Sequence, residues 1–312
     1  MNWPAALELG RVSNLPTVWT NVLAGIVLSG GGGSPGLIAS VILALTLFYV
    51  GGMFLNDAFD REVDARERPG RPIPSGRVSA VAVFSWGFGM LGGGLLLLAI
   101  GGYADGTGWR PAGAGLALAG STILYNAWHK GNPVSPLIMG LCRMLVYVTA
   151  GYAVARDLPA GLFLGAGVLL CYLIGLTFAA KQENLNRIAS LWPLAFLAVP
   201  FVYAPAALGL NGAGMAIYVG LAAWVLYALS FLVVPSRINV PRAVVSLLAG
   251  LCLLGALLQP AASVSWVLDR PVSNSGRLRA LLLGEARAHG WSWSVELSDQ
   301  TDSMVATRAG VA

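Results

Sequence analysis

Asn56-Asp57-Ala58-Phe59-Asp60-Arg61-Glu62-Val63-Asp64 sets three aspartates at intervals of three and four residues, directly after an uncharged run. At about 100° per residue on a helix, their carboxylates fall within an arc of about 60°. Like charges so crowded repel unless a cation sits among them. Ligands that are all oxygen favour a hard ion such as Mg2+, which is usually shared with the phosphates of a substrate. Arg61, Arg66, Arg68 and Arg71 supply further positive charge for an anion, and Pro69, Pro72, Pro74 and Gly76 end the helix and turn the chain. The segment suits a Mg2+-dependent clamp on a diphosphate. On a solvated loop the same acids and arginines would merely pair with one another, and charge content alone does not separate the two readings.

The elements that carry this loop lie in a membrane. Of 312 residues, 56% are hydrophobic and 11% charged, whereas about a quarter of an average soluble chain is charged. Five carboxylates and five arginines nonetheless gather between Asp57 and Arg77. Uncharged runs near the roughly 20-residue length of a crossing helix recur along the chain. They predict an all-α polytopic protein with about nine spans, near residues 15–30, 37–55, 79–101, 112–128, 134–155, 160–179, 190–209, 214–234 and 242–262. Met1 to Gly10 lacks the pattern of a cleaved leader, so the first span is expected to direct insertion. Cys142, Cys171 and Cys252 fall inside apolar runs and read as small hydrophobes.

Basic residues orient the spans. One set of loops holds Arg11, Arg61, Arg66, Arg68, Arg71, Arg77, Lys130, Lys181, Arg187, Arg237 and Arg242, and the opposite set holds Arg110 and Arg156. Eleven against two predicts that the charged loops and the N-terminus are cytoplasmic and, with an odd number of spans, that the C-terminus is outside. The basic balance thus reflects membrane topology, and no basic groove interleaved with aromatics points to nucleic acid.

Asn56-Asp57-x-x-Asp60-x-x-x-Asp64 followed by Arg71-Pro72-Ile73-Pro74-Ser75-Gly76 resembles the first signature of the UbiA superfamily of intramembrane prenyltransferases. The stretch from Gly10 to Gly25 is similar to that family's first helix. There Asn14 and Asn21 share a face, either as cavity residues or as an N-cap and an interhelical hydrogen bond respectively. Tyr125 and Asn126 ahead of Lys130 resemble the end of the fourth helix. Arg143 lies near the start of the fifth span, where a charge is expensive and usually paired or functional. The resemblance implies transfer of an isoprenyl group from an isoprenyl diphosphate to an aromatic or other lipophilic acceptor, in a helix bundle around a central cavity open to lipid. It implies metal ligation by Asp57, Asp60 and Asp64, diphosphate contacts from Asn56, Arg61, Arg71, Lys130 and Arg143, and Asn14, Asn21, Tyr125 and Asn126 along the acceptor cavity. His129 receives no role.

The second signature departs from the family. Its position reads Lys181-Gln182-Glu183-Asn184-Leu185-Asn186-Arg187, with no aspartate. Glu183 and Asn186 are expected to form a weaker metal position, and Lys181 and Arg187 to contact diphosphate directly. A catalytically weak or repurposed relative is therefore the alternative. A transporter is more remote, because its polar residues should cluster near the bilayer midplane. A CDP-alcohol phosphotransferase is disfavoured because its acidic pattern differs and nine spans are too many. Residues 1–262 are expected to form the transferase domain. Residues 263–312 are expected to form a tail of unknown role, with a short helix near 276–289 and an extended Trp291-Ser292-Trp293-Ser294-Val295-Glu296-Leu297.

Overall fold

The computed structural model describes residues 3–30, 32–181, 192–207 and 212–258, and two strands near the C-terminus. The chain divides into two compact units, Met1–Ser263 and Val264–Ala312. The described helices of the first are α1 (Trp3–Gly10), α2 (Leu15–Leu28), α3 (Pro35–Phe59), α4 (Arg61–Glu67), α5 (Ala80–Ala104), α6 (Arg110–Trp128), α7 (Ser135–Val154), α8 (Ala160–Lys181), α9 (Val199–Ala207), α10 (Gly212–Val233) and α11 (Val240–Leu257). In the second, β1 (Trp293–Leu297) pairs antiparallel with β2 (Met304–Arg308). β1 falls within the run expected to be extended, while the helix expected at 276–289 lies outside the described residues.

Local chemistry explains several helix starts. Ser34 and Ser79 accept from the backbone N–H groups of Leu37 and Ala82, each at 3.2 Å, and Asn239 accepts from Arg242 at 3.0 Å. Each cap meets a donor that no intrahelical carbonyl reaches. Every one of the nine expected runs contains a helical element. Among the described residues, six helices (α3, α5, α7, α8, α10 and α11) are long and apolar enough for a full crossing. Val12–Leu28 and Trp192–Ala206 are shorter apolar helices.

Close packing uses small residues, as expected where lipid removes the hydrophobic drive between helices. A Cβ on Gly51 of α3 would lie 2.8 Å from the Gly87 carbonyl oxygen of α5, and one on Gly25 of α2 would lie 2.7 Å from the Tyr147 carbonyl oxygen of α7. The core falls into two large clusters. One joins α2, α3, α5, α6 and α7 through residues such as Val22, Leu45, Phe48 and Leu118. The other, with Leu169, Tyr172, Leu221 and Leu251, is built mainly from α8, α10 and α11.

A third, smaller cluster was not foreseen from the sequence. Ala5 and Leu9 of α1 pack with Phe54, Ala58, Val78 and Val83, while Glu8 on α1 forms an ion pair with Arg77 at 2.8 Å. The α1 helix thereby fastens the loop after α4 against the end of α3.

Candidate active site

The expected second span should end near residue 55, yet α3 continues through Phe59, so Asn56 and Asp57 sit in its last turn. Asp60 ends α3 and starts α4, its N–H bonded to the Asn56 carbonyl at 3.0 Å and its carbonyl to the Asp64 N–H at 2.9 Å. This near-continuous helix carries all three carboxylates inward, and Asn56, Asp57, Asp60 and Asp64 are buried. They divide between two sets of partners. Arg71 Nη1 lies 3.1 Å from Asp57 Oδ1 and 2.8 Å from Asp64 Oδ2, so one guanidinium nitrogen joins these two carboxylates. Asp60 turns elsewhere, with Oδ2 at 3.3 Å from His129 Nε2 and 3.5 Å from Lys130 Nζ.

The loop geometry aims Arg71. Its carbonyl accepts from Ser75, the Pro72 carbonyl accepts from Val78, and Gly76 adopts a φ of 75° that a side chain would strain. Arg77 donates to the Gly70 carbonyl at 2.8 Å while holding Glu8. On the other flank, Arg11 has a φ of 42°, the only positive value at a non-glycine among the described residues. From there Arg11 Nη2 donates to Asp57 Oδ1 at 3.0 Å and to Asn56 Oδ1 at 3.2 Å. Asn126 secures Asn56: its Oδ1 accepts from Asn56 Nδ2 at 3.2 Å, and its own Nδ2 donates to the Gly52 carbonyl at 2.9 Å.

Electrostatically the cluster is close to balanced, with Arg11, Arg71 and Lys130 facing Asp57, Asp60 and Asp64. Burial pushes the Asp60 carboxyl up, but the hydrogen bond and charge of His129 and the charge of Lys130 outweigh it and hold the group below its ordinary value.

The cluster adjoins an apolar cavity of about 270 Å³ through Arg11 and Asn126. The cavity lies at the seam of the two large core clusters, between Leu45, Phe48 and Val146 on one side and Leu173, Leu176 and Leu248 on the other. Asn14, Tyr49, Tyr125 and Arg143 add polar groups to its wall. Arg143 Nη2 is 3.5 Å from Thr17 Oγ1, and its guanidinium lies 5.8 Å from the Tyr49 ring centroid. Tyr125 stacks on His129 with ring centroids 5.0 Å apart.

Several sequence expectations are placed differently. Arg61 donates to the Ala58 carbonyl and pairs with exposed Glu62, so it points away from the carboxylates. Asn14 makes no side-chain cap and lines the cavity, whereas Asn21 is fully buried outside the cavity wall, and among the described residues neither of its amide atoms has a partner. Lys181 is the last residue of α8, just after Ala180 on the cavity wall. Glu183, Asn186 and Arg187 lie outside the described residues. Sequence reasoning passed over His129, whose adjacency to Lys130 was the available signal, and it gave Arg11 no ligand role.

Asp57 and Asp64 suit a small divalent ion, since both already converge on one cationic nitrogen. Among the described residues no three His, Cys, Asp or Glu side chains gather closely enough to hold a metal by themselves. That donor set matches Mg2+, which commonly takes one or two carboxylates and completes its shell with substrate phosphate oxygens.

Comparison with known proteins identifies the family. Digeranylgeranylglyceryl phosphate synthase from Methanothrix thermoacetophila is 36% identical over 135 residues, 41% of this chain and 46% of that protein. The chain spans between 29% and 54% of the length of the curated relatives it matches. A UbiA homolog from Aeropyrum pernix K1 shares the fold with a TM-score of 0.60 at 15% identity, covering 79% of this chain and 96% of that one. A UbiA homolog from Archaeoglobus fulgidus bound to DMAPP and Mg2+ superposes with a TM-score of 0.52 at 12% identity, covering 85% and 99%. Residues 249–312 match a domain of unknown function, DUF5616. Residues 18–257, most of the chain and all of the cavity wall except Arg11 and Asn14, match the UbiA prenyltransferase family, to which this protein therefore belongs.

Proposed function

We propose that this chain transfers an isoprenyl group from an isoprenyl diphosphate to a lipophilic acceptor within the membrane, in a Mg2+-dependent reaction. The observation that carries the reading is the joining of Asp57 and Asp64 through Arg71 beside an apolar cavity. A balanced buried cluster does not welcome a bare polyanion, because desolvating extra negative charge there is costly. A divalent ion on Asp57 and Asp64 would supply the missing countercharge and draw electron density from the leaving group.

The chain's own residues do the rest. Arg11, Arg71 and Lys130 neutralise diphosphate as the C1–O bond breaks and its electron pair leaves with the diphosphate. Apolar walls hold the prenyl tail and exclude water from the allylic cation, which Tyr49 and Tyr125 face with aromatic rings. The acceptor nucleophile bonds to C1 and loses a proton. Lys181 and Arg187 are assigned to the same diphosphate, with Glu183 and Asn186 orienting them or holding a weak second ion. Residues 1–262 carry this activity in the proposal, and 263–312 form an appendage.

The test is transfer of label from tritiated geranylgeranyl diphosphate by the full chain in nanodiscs, with prenylglyceryl phosphates and phenolic acids as acceptors. Label should enter the acceptor with release of one diphosphate per product, and EDTA should stop it. Absence of product and of diphosphate release across the panel would overturn the reading.

The site is assigned to the cytoplasmic face on the charge asymmetry of the loops. In a background without Cys142, Cys171 and Cys252, a cysteine replacing Ser75 should resist an impermeant thiol reagent on whole cells, while one replacing Asp157 at the opposite end of the bundle should react. The reverse pattern would invert the topology.

A further inference from the structure

The helices α10 and α11 form a hairpin that turns through residues 234–239. Both are long and apolar enough to cross a membrane, so the turn lies where lipid headgroups meet water. The turn is tied down by its backbone: the Asn239 N–H donates to the Phe231 carbonyl and the Arg237 N–H to the Val234 carbonyl, each at 2.9 Å. Beside it opens a cleft of about 440 Å³, with Tyr227 and Phe231 on one side and Ser236, Arg237 and Arg242 on the other. Val233, Val234 and Ile238, at the same turn, expose apolar side chains.

The cleft is cationic, and no acid answers it. Among the described residues no carboxylate lies within ion-pair distance of Arg237 or Arg242, and the sequence holds no Asp or Glu between Glu183 and Asp269. Water solvates an exposed guanidinium, so a missing acid alone would mark nothing. Arg242, however, is fixed in place without one. Its guanidinium lies 4.8 Å from the Phe231 ring centroid, and its Nη2 donates to Tyr227 Oη at 3.3 Å. The Tyr227 and Phe231 rings meet edge to face with centroids 5.0 Å apart, which keeps this platform in shape. An aromatic face orients a cation and leaves its charge uncancelled. A tyrosine oxygen that accepts from arginine also keeps its own O–H for a further acceptor. Arg237 brings a second guanidinium to the same cleft.

We infer that this cleft binds the phosphate of an anionic membrane phospholipid, with Arg237, Arg242 and the Tyr227 hydroxyl as donors and the acyl chains against the exposed aliphatic residues of the turn. Guanidinium N–H groups lie in a plane that suits phosphate oxygens. The cytoplasmic leaflet, to which the loop charges assign this end of the hairpin, carries lipids of that kind. A headgroup with a cation of its own, such as choline, would set that cation against two arginines, so the cleft selects lipids of net negative charge. Free phosphate shares the chemistry of the headgroup but gains nothing from Val233, Val234 and Ile238. The cleft shares no lining residue with the central cavity, and the inference stands apart from the prenyl-transfer reading.

The experiment offers the full chain in detergent an equal mixture of phosphatidylglycerol and phosphatidylcholine and counts the lipid retained by native mass spectrometry. Wild type should retain phosphatidylglycerol over phosphatidylcholine by about tenfold, the scale on which two arginines near a membrane surface act. Arg237→Gln combined with Arg242→Gln should lower that preference by roughly fivefold or more. Arg110→Gln combined with Arg156→Gln removes as much charge from the opposite set of loops and should change it less than about twofold. Tyr227→Phe keeps the ring platform, loses one hydroxyl, and should weaken retention by about twofold to threefold.

Thermal unfolding without lipid checks that each variant folds, and the rise on adding phosphatidylglycerol measures binding independently. If the double arginine variant does not fold, Tyr227→Phe decides. Equal retention of the two lipids by wild type would overturn the inference, as would a double arginine variant stabilised by phosphatidylglycerol as fully as wild type. Inorganic phosphate in millimolar excess separates the two sources of the anion, and it should displace little of the lipid. Phosphate that displaced phosphatidylglycerol and by itself raised the unfolding temperature as far would make the cleft a site for free anions and overturn its assignment to membrane lipid.

Discussion

Asp57→Asn is expected to lower prenyl transfer about a hundredfold or more, the scale on which losing one centre of transition-state electrostatics acts. Asp57 is the carboxylate that meets two guanidiniums, Arg11 at 3.0 Å and Arg71 at 3.1 Å. The asparagine keeps size and shape, so the fold should survive while both arginines lose their shared anchor and a divalent ion loses one of two converging carboxylates. Asp64→Asn should act in the same way, because it empties the other side of Arg71. Glu62→Gln is the control, since its side chain is 79% exposed and pairs only with Arg61. Initial rates at saturating donor, with thermal unfolding as a check on folding, decide the matter. An Asp57→Asn protein within twofold of wild type would remove this carboxylate from the machinery.

The second large effect concerns Arg11, whose backbone sits in the left-handed region while its side chain holds Asp57 and Asn56. For a residue with a Cβ that conformation costs roughly 1–2 kcal/mol, and such strain tends to persist where the surroundings exploit it. Arg11→Ala should lose the contact and keep the strain, whereas Arg11→Gly should lose the contact and shed the strain. Both should reduce turnover by about tenfold to a hundredfold. The glycine variant should nonetheless unfold at the higher temperature of the two, by an amount corresponding to about 1 kcal/mol. If the glycine variant melted lower than the alanine variant, the strain would play no part in stability here.

How much of this was legible beforehand depended on whether the cause was local. Apolar runs marked the helices because crossing a bilayer requires every backbone group to be paired within a helix, and among the described residues six of the nine expected spans are long and apolar enough for a full crossing. The Asp57-Asp60-Asp64 spacing predicted three carboxylates together on one narrow arc around a cation; all three are buried, but they are divided. A helical arc cannot show that a bend at Asp60 divides them, sending Asp57 and Asp64 to Arg71 and Asp60 to His129 and Lys130. That division depends on where α6 ends and how the loop after α4 turns, both of which are tertiary. Arg61 was grouped with the anion ligands by proximity in sequence, yet it packs near Phe84 at 5.9 Å and points away. The reach of Arg11 across 46 residues to Asp57 leaves no trace in local spacing.

The seam location of the cavity bears on mechanical compliance. A void carved within one close-packed core can grow only by breaking contacts on every side, since protein interiors have little slack. A void bounded by two cores can grow by a small slide of one against the other, with the packing inside each preserved. Here Leu173, Leu176 and Leu248 belong to one packed cluster and Leu45 and Phe48 to the other, with α2 and α7 contributing to both. On the proposed reading, room for a longer prenyl tail would come from yielding along this boundary, to the extent that the shared helices α2 and α7 bend.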